Sequence, residues 1–300
     1  MSKKKGPRSF GNVAFPSAAE DATYAKEIEE TPQTKASAYR LAFADDEFLL
    51  RNELRPVRLQ LELLKPEMTM QEWEIDATIV MFGSARIPDP ATAELQVNEA
   101  QAALKADPDN AAKQKLLVVA ENRQALSGYY DEARRLAAII GEQYSGTPGM
   151  PKVHVMTGGG PGIMEAANRG ADDVGAESIG LNIVLPHEQR PNAWITPELS
   201  FRFHYFALRK MHFLMRAKAL VVFPGGFGTL DEFFETLTLL QTQKVKSLPI
   251  LVFGREFWEK VLNFEVLVEH GMISEEDLEL FTYVESADQA WAVIRQQCES

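Results

Sequence analysis

Residues 219–241, ALVVFPGGFGTLDEFFETLTLLQ, join a short apolar run to a glycine-rich turn and then to a longer segment with helical spacing. A buried strand that enters a helix through a glycine turn is the repeating unit of parallel α/β sheets. The same order occurs earlier in the chain, where the apolar run 153–156 precedes a glycine-rich turn at 158–162 and a helical pattern from Ile163. Together the two stretches predict an open parallel sheet with crossover helices.

Further apolar runs alternate with amphipathic runs on both sides of these two stretches. The predicted strands are 78–82, 153–156, 178–184, 219–223, 249–253 and 281–284. The predicted helices are 91–104, 110–144, 163–174, 206–217, 230–241, 257–269 and 287–297. This alternation predicts one α/β domain of the Rossmann-like, doubly wound class.

The first quarter of the chain has a different character. Residues 1–44 are mostly polar and show no sustained periodicity, so we expect an extended, partly mobile arm. Apolar residues recur at helical spacing within 45–64, and Pro56 argues against one continuous helix there. We therefore predict an N-terminal arm over 1–44, a helical extension over 45–75 and the Rossmann-like domain over 76–300.

The charge balance excludes some partners. There are 31 Lys and Arg residues against 43 Asp and Glu, which gives a net charge of −12. The first eight residues carry four cations and no acid, so the rest of the chain sums to −12 − 4 = −16. A body this acidic repels a phosphate backbone, so we expect no nucleic-acid partner. Any phosphate that the protein binds must be held by a few local groups.

Cysteine and hydropathy indicate the compartment. Cys298 is the one cysteine, which permits no intrachain disulfide and fits a reducing environment. No apolar run approaches the ~20 residues that a membrane-spanning helix needs, and the basic start is not followed by the apolar core of a secretory signal. We therefore expect a cytoplasmic protein with no membrane partner.

The five histidines lack the spacing of metal ligands, so we expect no metal and no cofactor.

Seven of the 19 glycines lie in two clusters at the ends of predicted strands. Ligands of open α/β sheets bind at the carboxyl ends of strands, and the free N–H groups at the start of the following helix attract phosphate. Neither cluster has the spacing of a G-x-G-x-x-G fingerprint or of a Walker A loop. The alternative is that the glycines only permit tight turns. The clusters are Gly158, Gly159, Gly160 and Gly162, and Gly225, Gly226 and Gly228.

Charged residues gather around the second cluster. Asp231, Glu232 and Glu235 lie at the start of the following helix, where the helix dipole favours acids. They would also repel a phosphate at the same turn unless cations intervened, and Arg209 and Lys210 in the preceding predicted helix are the candidates. Phosphate, cation and carboxylate in one site indicate catalysis on a phosphorylated substrate, because binding alone needs no acid.

Several of these motifs resemble those of one family. Residues 224–232, PGGFGTLDE, match P-G-G-x-G-T-x-x-E, the signature of the Lonely Guy (LOG) family of nucleoside 5′-monophosphate phosphoribohydrolases, long mislabelled as lysine decarboxylases. The pair Arg209-Lys210 resembles the family's R-K pair, residues 157–168 its first glycine loop, and residues 82–86 its opening turn. The resemblance covers about 76–295. The arm and the helical insertion at 91–122 resemble the longer bacterial members.

The resemblance implies an activity and a site. The reaction would be hydrolysis of the N-glycosidic bond of AMP or of N6-modified AMP such as a cytokinin ribotide, which releases the base and ribose 5-phosphate. Glu232 would stabilise the positive charge that develops on the ribose, and Arg209 would orient Glu232 and the ribose phosphate. The protein would form at least a dimer. The implied substrate and phosphate ligands are Ser84, Gly158, Gly159, Gly160, Glu188, Lys210, Gly225, Gly226, Gly228, Thr229, Asp231 and Thr238.

Three of these ligands rest on looser arguments. Glu188 aligns only roughly with a family carboxylate that contacts substrate. Thr238 lies six residues after Glu232, a spacing that does not place both on one helix face. Asp231 either shares the work of the base or simply interacts with the helix dipole.

Two other functions fit parts of the pattern. A lysine decarboxylase needs a lysine that binds pyridoxal phosphate and an acid for the pyridine nitrogen, and nothing in the sequence specifies them. A non-hydrolytic carrier of a nucleotide or of the molybdenum cofactor, with the same fold, needs the glycine turns but not the pair formed by Arg209 and Glu232. That pair therefore favours the enzyme.

Overall fold

The structure is a computed structural model that describes residues 16–144, 152–186 and 190–299. The chain divides into two compact units, one up to Trp73 and the other from Glu74 onward.

The first unit is helical. Its described part contains α1 (Ala18–Tyr24), α2 (Asp46–Leu49) and α3 (Arg55–Glu72). Pro56 lies in the first turn of α3, where its missing N–H costs no intrahelical hydrogen bond. The proline expected to interrupt a helix therefore begins the longest helix of this unit, and the arm predicted to be extended contains α1.

The second unit is built on a seven-stranded, all-parallel sheet. Its strands are β1 (Ala77–Phe82), β2 (Val153–Thr157), β3 (Ser178–Ile183), β4 (Ser200–Phe203), β5 (Ala217–Val222), β6 (Ile250–Phe253) and β7 (Phe281–Val284). Its helices are α4 (Pro90–Lys105), α5 (Ala111–Leu126), α6 (Gly128–Tyr144), α7 (Ile163–Asp173), α8 (Phe206–Met215), α9 (Phe227–Gln241), α10 (Arg255–Val261), α11 (Phe264–Glu269) and α12 (Ala287–Glu299). The predicted Rossmann-like, doubly wound α/β class is confirmed.

The strand order determines where a ligand would bind. The order across the sheet is β4-β3-β2-β1-β5-β6-β7. From β1 the chain adds strands outward as far as β4, returns to the other side of β1 with β5, and then adds strands in the opposite direction. The connections after β1 and β5 therefore leave in opposite directions. In open α/β sheets the crevice at such a switch point is the usual ligand site.

Apolar side chains on both faces of the sheet pack against helices. Ile79 and Met81 of β1 are buried in one apolar cluster with Leu136 and Ile140 of α6. Side chains alternate across a strand, and Phe82 contacts Phe213 of α8, with ring centroids 4.7 Å apart. Helix α8, which carries two of the predicted site residues, is thus packed against the central strand.

Three elements differ from the sequence-based prediction. Strand β4 was not predicted, because aromatic residues in this stretch are equally compatible with packing outside a strand; in the structure Phe201 and Phe203 are buried and Arg202 is exposed. The helix predicted over 110–144 is two helices, α5 and α6, because α5 ends at Ser127. The helix predicted over 257–269 is α10 and α11, since Leu262 has extended backbone angles.

Candidate active site at the carboxyl edge of the sheet

Three turns meet where β1, β2 and β5 end. The turn after β1 links the other two, because Ser84 N–H donates to the Pro224 carbonyl at 3.0 Å, and the Ser84 carbonyl accepts from Ile163 N–H at 3.1 Å. The Ser84 hydroxyl accepts from Arg86 N–H at 3.0 Å. The two glycine clusters predicted from the sequence are thereby brought to one place, at the switch point of the sheet.

The second glycine turn leads into a helix without a side-chain cap. Helix α9 begins at Phe227, and its N-cap residue, Gly226, provides no side chain to bind the free N–H groups. The backbone N–H groups of residues 227–229 find no acceptor among the described residues. A helix start with free N–H groups and a partial positive charge is suited to bind an anion such as phosphate.

The glycines of this turn fall into two kinds. A Cβ atom at Gly225 would lie 2.1 Å from the Thr229 hydroxyl oxygen, so this glycine is required by the packing of the turn itself. A Cβ atom at Gly226 or Gly228 would meet nothing within 4 Å. The fold of the chain therefore does not explain these two glycines, and the open space in front of them leaves room for a ligand to approach the backbone.

Arg209 is fixed in place from α8. Its Nε–H donates to the Leu181 carbonyl at 2.7 Å, and its guanidinium carbon lies 5.0 Å from the centre of the Phe213 ring. A Cβ atom at Gly158 would lie 2.6 Å from Nη2 of this guanidinium, so the first glycine turn makes room for the arginine. Burial lowers the pKa of Arg209, and the charge of Glu232 acts to raise it. Among the described residues, its two Nη groups donate no hydrogen bond.

Glu232 lies in the second turn of α9 and is 7% exposed. The described residues donate no hydrogen bond to its carboxylate. Burial raises the pKa of Glu232 to about 7, although the charges of Arg209 and Lys210 act to lower it. A carboxyl group with a pKa near neutrality, placed in a crevice beside an arginine, is typical of a catalytic acid or base.

Lys210 binds two acids of α9. Its Nζ atom lies 2.8 Å from Oδ1 of Asp231 and 2.9 Å from Oε2 of Glu235. Burial acts to lower the pKa of Lys210, but the hydrogen bonds with the two carboxylates outweigh it, so that the pKa is raised. The ammonium group predicted to bind substrate phosphate is therefore engaged by protein carboxylates.

The first glycine turn is held by a network of buried amides and hydroxyls. Asn192 N–H donates to the Gly159 carbonyl at 2.9 Å, and its Nδ2 donates to the Gly160 carbonyl at 3.0 Å. The same Nδ2 donates to Oδ1 of Asn168, which also accepts from the Thr157 hydroxyl at 2.7 Å. The turn formed by Gly158, Gly159 and Gly160 is thus tied to Asn192 and, through Asn168, to β2 and α7.

The remaining predicted residues have different positions. Thr229 is buried beside Gly225, at the start of α9. Thr238 is exposed, its hydroxyl donates to the Phe234 carbonyl at 2.8 Å, and it does not join the site. Asp231 is exposed and binds Lys210. Glu188 lies outside the described residues.

Several residues that shape the site were not predicted from the sequence. Asn168 and Asn192 hold the first glycine turn, and the Leu181 carbonyl holds Arg209. Asn168 lies within the quoted motif 157–168, and an asparagine that directly follows two alanines in a predicted helix was a signal that could have found it. A backbone carbonyl such as that of Leu181 leaves no signal in residue types.

Two negative observations concern the part of the chain that the structure describes. In residues 16–144, 152–186 and 190–299, no three His, Cys, Asp or Glu side chains are grouped so that they could hold a metal ion. Over the same ranges, the helices lack the combined length and apolarity that crossing a bilayer requires.

Comparisons with known proteins agree with part of this description. Residues 164–294 match the profile of a family described as "possible lysine decarboxylase". The matched stretch contains Arg209, Lys210 and the second glycine turn, but it spans less than half of the chain. No curated protein is similar enough to count as a match.

Solved structures with a related topology are distant in sequence. A protein called TM1055 is 15% identical, covers 73% of this chain and 99% of its own, and has a TM-score of 0.43. A molybdenum cofactor binding protein from Rippkaea orientalis is 18% identical, with coverages of 56% and 86% and a TM-score of 0.41. The molybdenum cofactor carrier protein of Chlamydomonas reinhardtii is 16% identical, with coverages of 75% and 99% and a TM-score of 0.42. Similarities this low carry no inference about activity.

Proposed function

We propose that this protein hydrolyses the N-glycosidic bond of nucleoside 5′-monophosphates, with AMP as the simplest substrate and N6-modified AMP, such as a cytokinin ribotide, as a second candidate. The observation that carries the proposal is the pairing of a buried carboxyl group, Glu232, with the fixed guanidinium of Arg209 beside an uncapped helix start. A site that only bound a nucleotide would gain nothing from a buried acid next to the phosphate.

The phosphate position follows from the open part of the second glycine turn. The free N–H groups of residues 227–229 and the space in front of Gly226 and Gly228 would accept the 5′-phosphate. Arg209 would offer its two Nη groups to the phosphate or the ribose in a planar fork. Ser84 and the first glycine turn would form the floor of the pocket.

The chemistry would take place at the anomeric carbon. As the bond between C1′ and the base nitrogen breaks, positive charge develops on the ribose, and ionised Glu232 would stabilise it. Water then forms the new bond to C1′, with its proton transferred by way of the carboxylate, and the departing base takes up a proton. Glu232 must be ionised for this role, so activity should rise with pH through the pKa of about 7.

The test is base release from AMP by the wild-type protein and two variants. Glu232→Gln and Arg209→Ala should each lower the rate by a hundredfold or more, on the order of what positioned catalytic groups contribute, while circular dichroism shows a folded protein. Adenosine should react far more slowly than AMP, because it cannot use the phosphate site. Wild-type rates in either folded variant, or equal rates on adenosine and AMP, would refute the proposal.

A carrier function gives a different result in the same experiment. A protein that only carries a nucleotide or a related cofactor would retain AMP intact, and Glu232→Gln would bind it as well as the wild type does. The lysine decarboxylase description finds no support in the site, whose acid, arginine and free backbone N–H groups suit a phosphate ester rather than an amino acid.

A further inference from the structure

The cluster formed by Lys210, Asp231 and Glu235 lies beside the proposed catalytic pair and is not used by the chemistry. Lys210 has only 15% of its side chain exposed and contacts both acids at less than 3 Å. An ammonium group has three N–H donors; here one is donated to Oδ1 of Asp231, and the charge is also paired with Oε2 of Glu235 at ion-pair distance. This geometry leaves Lys210 poorly placed to bind a substrate phosphate.

The cluster determines how α8 and α9 face each other. Lys210 follows Arg209 directly on α8, and Asp231 precedes Glu232 directly on α9. Consecutive residues of an α-helix project about 100° apart. A contact from Lys210 to both Asp231 and Glu235 therefore fixes the rotation of the two helices, and with it the directions in which Arg209 and Glu232 project.

The cluster also balances charge around Glu232. The charged groups that act on Glu232 are Arg209 and Lys210 from α8, and Asp231 and Glu235 from its own helix. With Glu232 ionised, the five groups sum to −1, and without Lys210 they would sum to −2. The lysine thus offsets the two carboxylates that would otherwise oppose both the ionisation of Glu232 and the approach of a phosphate.

We propose that Lys210 is a positioning residue, which ties α8 to α9 through Asp231 and Glu235, holds Arg209 in front of Glu232, and does not itself bind substrate. The claim that Lys210 supports catalysis rests on the proposed function. The claim that Lys210 ties α8 to α9 does not, and the experiment separates the two claims.

The first measurement is the pH dependence of AMP hydrolysis in Lys210→Met and Lys210→Arg. Loss of the positive charge favours the protonated form of Glu232, so the rising limb of kcat should move to higher pH in Lys210→Met. At neutral pH kcat should fall about tenfold, the order expected of a misplaced catalytic pair. Lys210→Arg keeps the charge and should keep the wild-type midpoint. A raised KM with unchanged kcat and an unchanged midpoint would instead assign Lys210 to the phosphate and overturn the proposal.

The second measurement needs no activity. The free energy of unfolding in urea is followed against pH for the wild type, Lys210→Met and the double variant Lys210→Met with Glu232→Gln. In Lys210→Met the decline of stability with rising pH should extend to higher pH than in the wild type, and in the double variant this decline should disappear. If the unfolding free energy of Lys210→Met declines over the same pH range as that of the wild type, the proposal is overturned even if AMP is hydrolysed.

The matched control is Lys152→Met. Lys152 also pairs with an acid, Glu74, at 3.1 Å, but at the edge of the sheet where the strands begin. The Lys152→Met variant should show the wild-type pH dependence of kcat and the wild-type pH dependence of the unfolding free energy. If the wild type releases no base from any nucleoside monophosphate while the unfolding curves shift as expected, the proposed function fails and the positioning role of Lys210 stands.

Discussion

Glu232 occupies an environment that an acid near the start of a helix does not ordinarily meet. Such acids are usually exposed, and the helix dipole stabilises their charge. Here burial dominates and raises the pKa to about 7, in spite of two cations nearby. Ionisation of a desolvated carboxyl group in this position lowers the free energy of unfolding. Strongly shifted pKa values that reduce stability in this way are found mostly at functional sites.

The first residue-scale prediction concerns this cost. Because the pKa of Glu232 is raised above 4.5, the folded state holds a proton that the unfolded state loses first. The contribution to stability is present at low pH and is lost as pH rises toward about 7. We expect the unfolding free energy of the wild type to fall by about 2 kcal/mol between about pH 5 and about pH 8 through this group, and Glu232→Gln to lack that fall in urea titrations.

The control for this prediction is Glu256→Gln. Glu256 is exposed, and a hydrogen bond with Lys260 lowers its pKa, so it stays ionised over the whole range. It should retain the wild-type pH dependence. An equal decline in Glu232→Gln and the wild type would show that Glu232 ionises normally.

The second residue-scale prediction separates two glycines. Gly228→Ala adds a Cβ atom to open space within α9, so stability should stay the same or rise by up to about 1 kcal/mol. Activity on AMP should nevertheless be lost, because the methyl group occupies the space proposed for the phosphate. Gly225→Ala is the contrasting variant and should destabilise the fold, since it collides with Thr229. Full activity in a stable Gly228→Ala protein would show that the phosphate does not bind at this turn.

Residue types predicted the proposed catalytic pair but not the role of its neighbour. The spacing of Arg209 and Glu232 around a glycine turn was visible in the sequence. The contacts of Lys210 with Asp231 and Glu235 were not, because they depend on how two helices lie next to each other in the folded chain. The interaction of Arg209 with the Leu181 carbonyl is hidden for a similar reason, since every residue type has that group.

At the scale of elements, the first glycine turn is positioned by asparagines rather than by its own sequence. Asn168 of α7 bonds to Ser178 of β3 at 2.9 Å and accepts from Thr157 of β2. Asn192 extends this network to the carbonyls of Gly159 and Gly160. The network connects two strands, one helix and one turn, and every polar atom in it is buried or half-buried.

The element-scale prediction is that the network contributes to activity through the turn. Asn192→Ala removes the side-chain bond to Gly160, so it should cost about 1 to 3 kcal/mol of stability and also lower the rate on AMP. Asn110→Ala is the control, because Asn110 caps α5 and its loss should cost about 1 kcal/mol without touching the turn. Denaturant melts and base-release rates measure both effects. Equal activity in the two variants would mean that the turn needs no such support.

Element boundaries were predicted best where a buried strand meets a glycine turn. Strands β1, β2 and β5 were predicted to within two residues at each end, because apolar runs stop abruptly at glycine or proline. The division of 110–144 into α5 and α6 was not predicted, since Ser127 and Gly128 are compatible with a continuing helix. Strand β4 is recognised by its parallel pairing with β3, which the residue types of Ser200–Phe203 do not reveal.

At the scale of the whole molecule, net acidity is compatible with the proposed phosphate site because the cations are local. The chain carries a net charge of −12, yet the crevice at the switch point contains Arg209 and the positive end of α9. Sequence alone predicted the sheet and its class. It did not give the strand order, which is what brings the turns after β1, β2 and β5 together.

We predict that the whole protein forms at least a dimer. Phe227, at the start of α9, is 92% exposed, and further apolar side chains of α8 and α9 are also exposed, namely Phe206, Met211, Met215 and Phe234. Large exposed apolar side chains on two neighbouring helices are compatible with an interface. Sedimentation should give a mass of twice the 33.5 kDa chain or more, and Phe227→Asp should shift the equilibrium toward monomer. A wild-type monomer at micromolar concentration would contradict this.

The central claim is that the crevice cleaves a nucleotide rather than holding it. Incubation with AMP, followed by chromatography of the products, tests it directly. The account predicts free adenine and ribose 5-phosphate in equal amounts from the wild-type protein, and neither product from Glu232→Gln. Recovery of intact AMP from a protein that binds it would contradict the account.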